Sequence, residues 1–238
     1  MGGLGFAAVL AFLYFIRERL RFNWKDYIEY VVVCTVFGAV LARVLYVIAL
    51  LPSMENITIR EILFQLWNGG IVFYGGLFGV ILGIAAVSKY RGRSSKNILN
   101  TIAPAFPLFH TFARIGCLLA GCCYGTKWNW GVILSGEEDI VRLPVQLFES
   151  GCNLFIFIML MVLRRRKKTC TCNLAIYLCS YAICRFILEF FRGDTIRGIW
   201  GTGLSTAQSI SVIILLYYMG RVVALGFQKR KTGKVVEE

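Results

Sequence analysis

The apolar positions of this chain fall into long unbroken blocks, separated by short polar segments in which basic residues gather. A helix needs about 20 predominantly apolar residues to cross a hydrocarbon core ~30 Å thick. Seven blocks approach or reach that length: 2–16, 27–51, 70–88, 99–121, 149–163, 173–191 and 204–226. The pattern predicts an all-α, polytopic membrane protein with seven transmembrane helices, built as a single integral membrane domain over residues 1–238. The first block is short, yet no basic run precedes it and no small-residue cleavage site follows, so it reads as a span rather than a removable leader. In 53–68, Ile59, Ile62, Leu63, Leu66 and Trp67 recur at helical spacing, which predicts an interfacial helix on the outer side. The 122–148 loop carries Trp128 and Trp130, suited to the headgroup level, and 227–238 reads as a basic cytoplasmic tail. No internal repeat is visible, which argues against a transporter made of duplicated halves.

Composition agrees with the pattern. The mean hydropathy is +0.67 and 16% of residues are charged, against the roughly 25% usual for soluble domains. The net charge of +13 would suit nucleic acid, but its carriers sit just outside the apolar blocks, so a bilayer is the expected partner and nucleic acid is not. Basic residues follow spans one, three, five and seven: Arg17, Arg19, Arg21 and Lys25; Lys89, Arg91, Arg93 and Lys96; the run 164–168; and Arg221 with Lys229, Arg230, Lys231 and Lys234. The opposite side holds only Arg60, Lys127, Arg142, Arg192 and Arg197. This asymmetry predicts the N-terminus outside and the C-terminus in the cytoplasm.

Three arginines remain inside spans: Arg43, Arg114 and Arg185. Each costs about 2.5–3.5 kcal/mol at a helix centre. All three fall in the outer half of their spans, away from the basic cytoplasmic rim, which suggests a shared anionic partner rather than snorkelling. His110, Arg114, Cys117 and Gly121 share one helix face, and Tyr181, Arg185, Glu189 and Arg192 share another. Glu189 either neutralises Arg185 or touches substrate. Gln146 with Glu149, and Ser205 with Gln208 and Ser209, add polar faces at the starts of spans five and seven. Around Tyr74, the glycines Gly75, Gly76 and Gly79 suit either close helix packing or backbone approach to a headgroup, with the Tyr74 hydroxyl at the site. Cys117, Cys122 and Cys123 do not share a face of a continuous helix; their sulfurs converge only if the helix breaks at Gly121. No metal ligand set is evident beyond His110, and neither a metal nor an organic cofactor is expected.

The ordered set GGIVFYGGLFG, FARIGCLLAGCCYG, LPVQLFES, CRFILEFFRGD and LSTAQSIS, over roughly residues 30–215, resembles the bacterial prolipoprotein diacylglyceryl transferase family. The family's Arg-x-Gly-Asn-Phe-x-Asn-Gly run is matched from Arg114 through Gly116 and Cys117 to Gly121, with its closing glycine at Gly125. Pro144 to Glu149 matches a Pro-x-Gln-Leu-Tyr-Glu run, and Arg185, Glu189 and Arg192 match the sixth-span motif. The chain departs where the family has a histidine, here Tyr74, and where signature asparagines become Cys117 and Ala120, as in a Cys-rich branch.

The resemblance implies a multi-pass enzyme of the bacterial cytoplasmic membrane, with its site toward the outer leaflet. It implies transfer of diacylglyceryl from phosphatidylglycerol to the lipobox cysteine thiol of a prolipoprotein signal peptide, releasing glycerol phosphate. Arg114 and Arg185 would stabilise the leaving phosphate, with Arg43 and Arg192 as further candidates. His110, Tyr74 and Glu149 are the candidates for handling the thiol proton. Gly75, Gly76, Gly116, Cys117, Gly125, Gln146, Glu189, Ser205 and Gln208 are candidate substrate contacts. Other readings stay open: a different acceptor, a membrane thiol oxidoreductase using Cys117, Cys122 and Cys123, or a non-enzymatic lipid or ion pathway protein.

Overall fold

The computed structural model describes residues 2–50, 58, 73–134, 140–164, 172–193 and 204–234. Within them the apolar blocks are helices: α1 (Gly2–Ile16), α2 (Trp24–Leu50), α3 (Phe73–Tyr90), α4 (Ser95–Ile102), α5 (Ala105–Leu119), α6 (Val145–Leu163), α7 (Asn173–Glu189) and α8 (Thr206–Lys234). By length and composition α2 and α6 can each cross a membrane, and α4 with α5 can do so as one bent span. The helix expected over 53–68 lies outside the described residues.

Three segments show detail that the apolar pattern alone does not give. Span four is not one helix: α4 and α5 meet at 45° across a break that ends on Pro104, which has no N–H to continue a helix. The last helix, α8, runs on to Lys234 and so enters the 227–238 segment. The 122–148 loop folds into a two-stranded antiparallel sheet, β1 (Lys127–Ile133) and β2 (Val141–Arg142), pairing Ile133 with Val141 and Val132 with Arg142. Its strand KWNWGVI alternates Trp128, Trp130 and Val132 at period two, and both tryptophans are exposed.

The polarity of the fold is inverted relative to a water-soluble protein. An exposed stripe of Val32, Val36, Val40, Val44 and Ile48 runs down α2, and Phe155 (68% exposed) and Val222 (70%) face outward from α6 and α8. Glu149, Ser150, Asn153, Arg185, Glu189, Gln208 and Ser211 are buried. Hydrocarbon accepts the first set and penalises the second, so this distribution is that of a chain solvated by lipid.

The chain divides into two compact units. In Phe12–Thr101, α2 and α3 lie backbone to backbone. A Cβ on Gly79 would come within 2.3 Å of the Phe37 carbonyl oxygen, and one on Gly75 within 2.5 Å of that of Leu41. Gly83 continues this face against Cys34, completing a ladder of small residues four apart. At one end Asn23 and Asp26 form a reciprocal capping box, each backbone N–H donating to the other's side chain at 2.8 and 3.3 Å. Buried Asp26 also pairs with Arg93 at 2.8 Å and Arg91 at 3.7 Å, and Arg93 donates to the Leu20 carbonyl at 3.1 Å. The basic segments after α1 and α3 therefore meet at one end of this unit.

The second unit joins Met1–Ala11 to Ile102–Glu238. Here α5 packs on α6, α6 on α7, and α7 on α8. Ile156, Leu160 and Tyr177 form its apolar centre, with Phe106 stacked on Tyr177 at 5.6 Å. Above that centre the interior becomes polar.

Candidate active site

Pro144 closes the hairpin and starts α6, and the first two turns of that helix turn Gln146, Glu149, Ser150 and Asn153 inward while Leu147, Leu154 and Phe155 face out. Glu149, 3% exposed, is the focus. Arg114 reaches it from α5, Nη2 to Oε1 at 3.1 Å, and Arg185 from α7, Nη1 to Oε2 at 3.1 Å. The Tyr181 hydroxyl donates to Oε1 at 3.2 Å. The second nitrogen of Arg185 binds Glu189 Oε2 at 2.8 Å, and Arg192 Nη1 lies 3.7 Å from the same oxygen. The result is a continuous alternation Arg114, Glu149, Arg185, Glu189, Arg192. Among the described residues it carries three cations against two carboxylates, a surplus of one positive charge.

Such a network stands in a low-dielectric interior only because each charge meets its opposite with good geometry. Glu149 is more than a counterion: holding Arg114 with one oxygen and Arg185 with the other, it fixes how far apart the two guanidinium groups stand. Arg114 Nε is buried with no hydrogen-bond partner among the described residues, so the donor capacity of this arginine is not used up. His110, one turn before Arg114, is 2% exposed, and its ring centre lies 5.0 Å from that of Tyr181.

The end of α5 shapes the next part of the site. Gly121 takes φ +66°, Cys122 N–H donates to the Cys117 carbonyl at 3.1 Å, and Gly121 N–H donates to that of Leu118 at 3.1 Å. This is a Schellman termination, so the helix does break where convergence of the cysteines requires it. Cys123 then adopts φ +56°, a left-handed conformation uncommon for a non-glycine residue. The reversed chain carries Cys122 and Cys123 back over Cys117, and the three sulfurs lie within 4.8 Å of one another. Gln146 Nε2 holds the turn by donating to the Cys122 carbonyl at 2.9 Å.

Gly125 marks a close backbone crossing. A Cβ there would meet the Leu143 carbonyl oxygen at 2.2 Å, and one on Gly193 would meet the Gly125 oxygen at 2.4 Å. Gly125 bridges to Arg192, while Thr126 N–H donates to Phe191 and Gly193 N–H to Tyr124, both at 2.9 Å. These bonds lash the hairpin to the end of α7 and so locate Arg192. Arg142 covers the Tyr124 ring at 4.2 Å and donates to the Gly125 carbonyl at 3.4 Å.

One unit thus brings together Arg114, Arg185, Glu149, Glu189, Arg192, His110, Gln146 and Cys117. Gly116 lies in the last turn of α5, its carbonyl accepting from Ala120 at 3.0 Å. Ser205 and Gln208 bind each other: Ser205 N–H donates to Gln208 Oε1 at 3.0 Å and Gln208 N–H to Ser205 Oγ at 3.2 Å, a capping box that starts α8. The other unit holds half-buried Arg43 on α2 and Tyr74, Gly75 and Gly76 at the start of α3. Gly75 is committed there to packing against α2, whereas a Cβ on Gly76 would meet nothing closer than 3.9 Å. Ser150 and Asn153 were missed as site residues, whereas Tyr181 was already placed on the Arg185 face, though without a contact assigned to it. Ser150 donates to the Thr111 carbonyl at 3.0 Å and Asn153 to that of Glu149 at 2.8 Å. Asn153 stands one turn after Glu149, so the helical spacing that put Tyr181 beside Arg185 would have found it too.

Residues 2–224 match the family described as prolipoprotein diacylglyceryl transferase. The chain is 29% identical over 250 residues to phosphatidylglycerol–prolipoprotein diacylglyceryl transferase 2 of Clostridium perfringens, covering 99% of this chain and 92% of that one. It is 30% identical over 221 residues to the phosphatidylglycerol–prolipoprotein diacylglyceryl transferase of Legionella pneumophila strain Paris, covering 90% and 86%. With the protein of that name from Polynucleobacter asymbioticus it shares 31% identity over 211 residues, covering 86% and 80%. An inverted polarity, a buried arginine–glutamate chain and a match across nearly its whole length lead to one assignment: the chain belongs to the prolipoprotein diacylglyceryl transferase family.

Proposed function

We propose that this protein transfers the diacylglyceryl group of phosphatidylglycerol to the lipobox cysteine thiol of a prolipoprotein signal peptide, releasing glycerol phosphate. The observation that carries the reading is the pair Arg114 and Arg185, both buried and both spaced by Glu149. Breaking the carbon–oxygen bond at the glyceryl carbon leaves its electron pair on a phosphate oxygen, so the developing anion has to be stabilised. Guanidinium groups in a water-poor site do this well, and the surplus positive charge of the cluster suits a phosphodiester monoanion. The unused Nε of Arg114 supplies a further donor. Arg192 is a second-line contact to the headgroup. Glu149, tied to two arginines and Tyr181, serves better as their spacer than as a base.

The placement that goes with this chemistry is a seven-span chain in the bacterial cytoplasmic membrane, N-terminus outside, with the site toward the outer leaflet. The charge asymmetry supports it, as does the meeting of the basic segments after α1 and α3. The experiment is purified protein in detergent with phosphatidylglycerol and a lipobox peptide, following peptide mass and released glycerol phosphate together. Both signals are expected from the parent and neither from Arg114→Ala or Arg185→Ala, while His110→Asn retains most turnover. Turnover persisting in either arginine variant refutes the phosphate site, and glycerol phosphate without peptide modification identifies another acceptor.

A further inference from the structure

We propose that Cys117, Cys122 and Cys123 hold a thiophilic divalent cation of the zinc class, whose open fourth position receives the acceptor cysteine thiol. The proposal rests on the transferase reading and deepens it, by naming what activates the nucleophile. Its first support is geometric. Around a tetrahedral zinc at about 2.3 Å per Zn–S bond, sulfurs stand about 3.8 Å apart, so a trio already within 4.8 Å closes on an ion by side-chain rotation of about 1 Å or less. Three protein ligands and one open position are the arrangement of catalytic rather than structural zinc.

The second support is the backbone that builds the trio. Two left-handed residues on either side of Cys122, Gly121 at φ +66° and Cys123 at φ +56°, turn the chain back on itself. A left-handed non-glycine residue is strained and persists only where its surroundings hold it. Here Gln146, buried beside Glu149 on α6, holds the Cys122 carbonyl at 2.9 Å. The residue that secures the cysteine turn thus belongs to the same helix face as the residue that spaces the arginines.

The third support is electrostatic. The trio sits at the carboxyl end of α5, the negative pole of the helix dipole, which favours a cation. Three thiolates with one divalent ion carry a single negative charge, placed one turn from Arg114 and the surplus positive charge of the arginine chain. Cys122 is exposed and Cys117 and Cys123 are half-buried, so the site is open on one side for an incoming ligand.

The chemistry then balances without a redox partner. A free thiol with a pKa near ~8.5 is mostly protonated at neutral pH, whereas a thiol that coordinates zinc gives up its proton outright. The acceptor R–SH replaces water on the ion and releases H⁺ to solvent. Its thiolate attacks the glyceryl carbon of phosphatidylglycerol; the C–S bond forms as the C–O bond breaks, and the electron pair leaves with the phosphate oxygen held by Arg114 and Arg185. The ion and its three protein thiolates are unchanged at the end.

The test uses the full chain in detergent, reduced and stripped with chelator, then titrated anaerobically with Co²⁺. One equivalent per chain is expected to give thiolate-to-cobalt charge-transfer absorption and the intense visible bands of a tetrahedral ion. Cys117→Ser, Cys122→Ser and Cys123→Ser should each weaken binding by about 100-fold or more, since loss of a mere outer-shell partner already costs about 10–100-fold. A lipobox peptide with its cysteine should shift the visible bands, and the same peptide with serine should not. Zn²⁺ should restore transfer to the stripped enzyme. Absence of a stoichiometric cobalt signal overturns the proposal, as does undiminished transfer by stripped enzyme or by the triple serine variant. A cobalt spectrum that responds to the cysteine peptide upholds the site even where transfer fails, so a lone failure of transfer counts against the transferase reading instead.

Discussion

Replacing Glu149 by Gln removes one charge and almost no volume from the centre of the site. In the parent, its two oxygens each lie 3.1 Å from an arginine and one also accepts from Tyr181, in a group 3% exposed. Breaking a buried ion pair by neutralising one partner costs about 3–5 kcal/mol, because the remaining charge is left in a poor solvent. Here the loss falls on Arg114 foremost, since Arg185 keeps Glu189 at 2.8 Å. At about 2–4 °C of Tm per kcal/mol for a chain of this size, the expected fall is about 6–20 °C, read by thermal unfolding in detergent. Activity should respond in a particular way. The cluster gains net positive charge, so apparent affinity for anionic phosphatidylglycerol should hold or improve. The guanidinium spacing is lost, so kcat should fall by about 10²–10³-fold, as when a preorganised donor is removed. Ser150→Ala, which sheds one neutral bond worth about 1 kcal/mol, is the control on the same helix face. A Glu149→Gln protein that melts within about 2 °C of the parent with unchanged kcat would refute the reasoning.

Other outcomes follow from neighbouring contacts. Arg185→Lys keeps the charge but cannot bridge Glu149 and Glu189 with two fixed nitrogens, so transfer should drop by about 10²-fold or more in the peptide mass assay. Gly79→Ala forces α2 and α3 apart and should cost about 3 kcal/mol or more in thermal stability, while Gly76→Ala, with open space around it, should melt like the parent. Tyr181→Phe removes one hydrogen bond to a carboxylate and should lower stability by about 1.5–3 kcal/mol with both arginines still engaged. Ser205→Ala should weaken the start of α8 by about 1 kcal/mol, visible as faster amide exchange in its first turn.

What the sequence made legible was set by range. The bounds of α2, α6 and α7 follow within a few residues from uninterrupted apolar blocks, because hydropathy reports directly on burial in lipid. It reports less well on where a helix stops. The charges of Lys229–Lys231 suggest a boundary in the sequence, and α8 runs past them to Lys234. Pro104 was in plain view, but a proline inside an apolar block signals either a kink or a new start, and only the paired geometry of α4 and α5 distinguishes them. In the site, Arg114 and Arg185 stood out because charge inside a span is costly. Glu149 did not stand out as their spacer, since its partners lie on other helices and no periodicity encodes a contact between elements. The cysteine trio was legible as a condition: sulfurs that meet only if the chain turns at Gly121, which it does.

The arginine–glutamate chain also governs how the protein can be made. Arg114, Glu149 and Arg185 ride on three successive helices, and each charge alone costs about 2.5–3.5 kcal/mol to bring to the middle of a bilayer. As α5 leaves the ribosome its arginine has no counterion; that arrives with α6, and Arg185 follows with α7. The three segments therefore gain more by entering lipid as a set than one at a time. The contact that spaces two guanidinium groups is therefore also what makes three charged helices tolerable in lipid together.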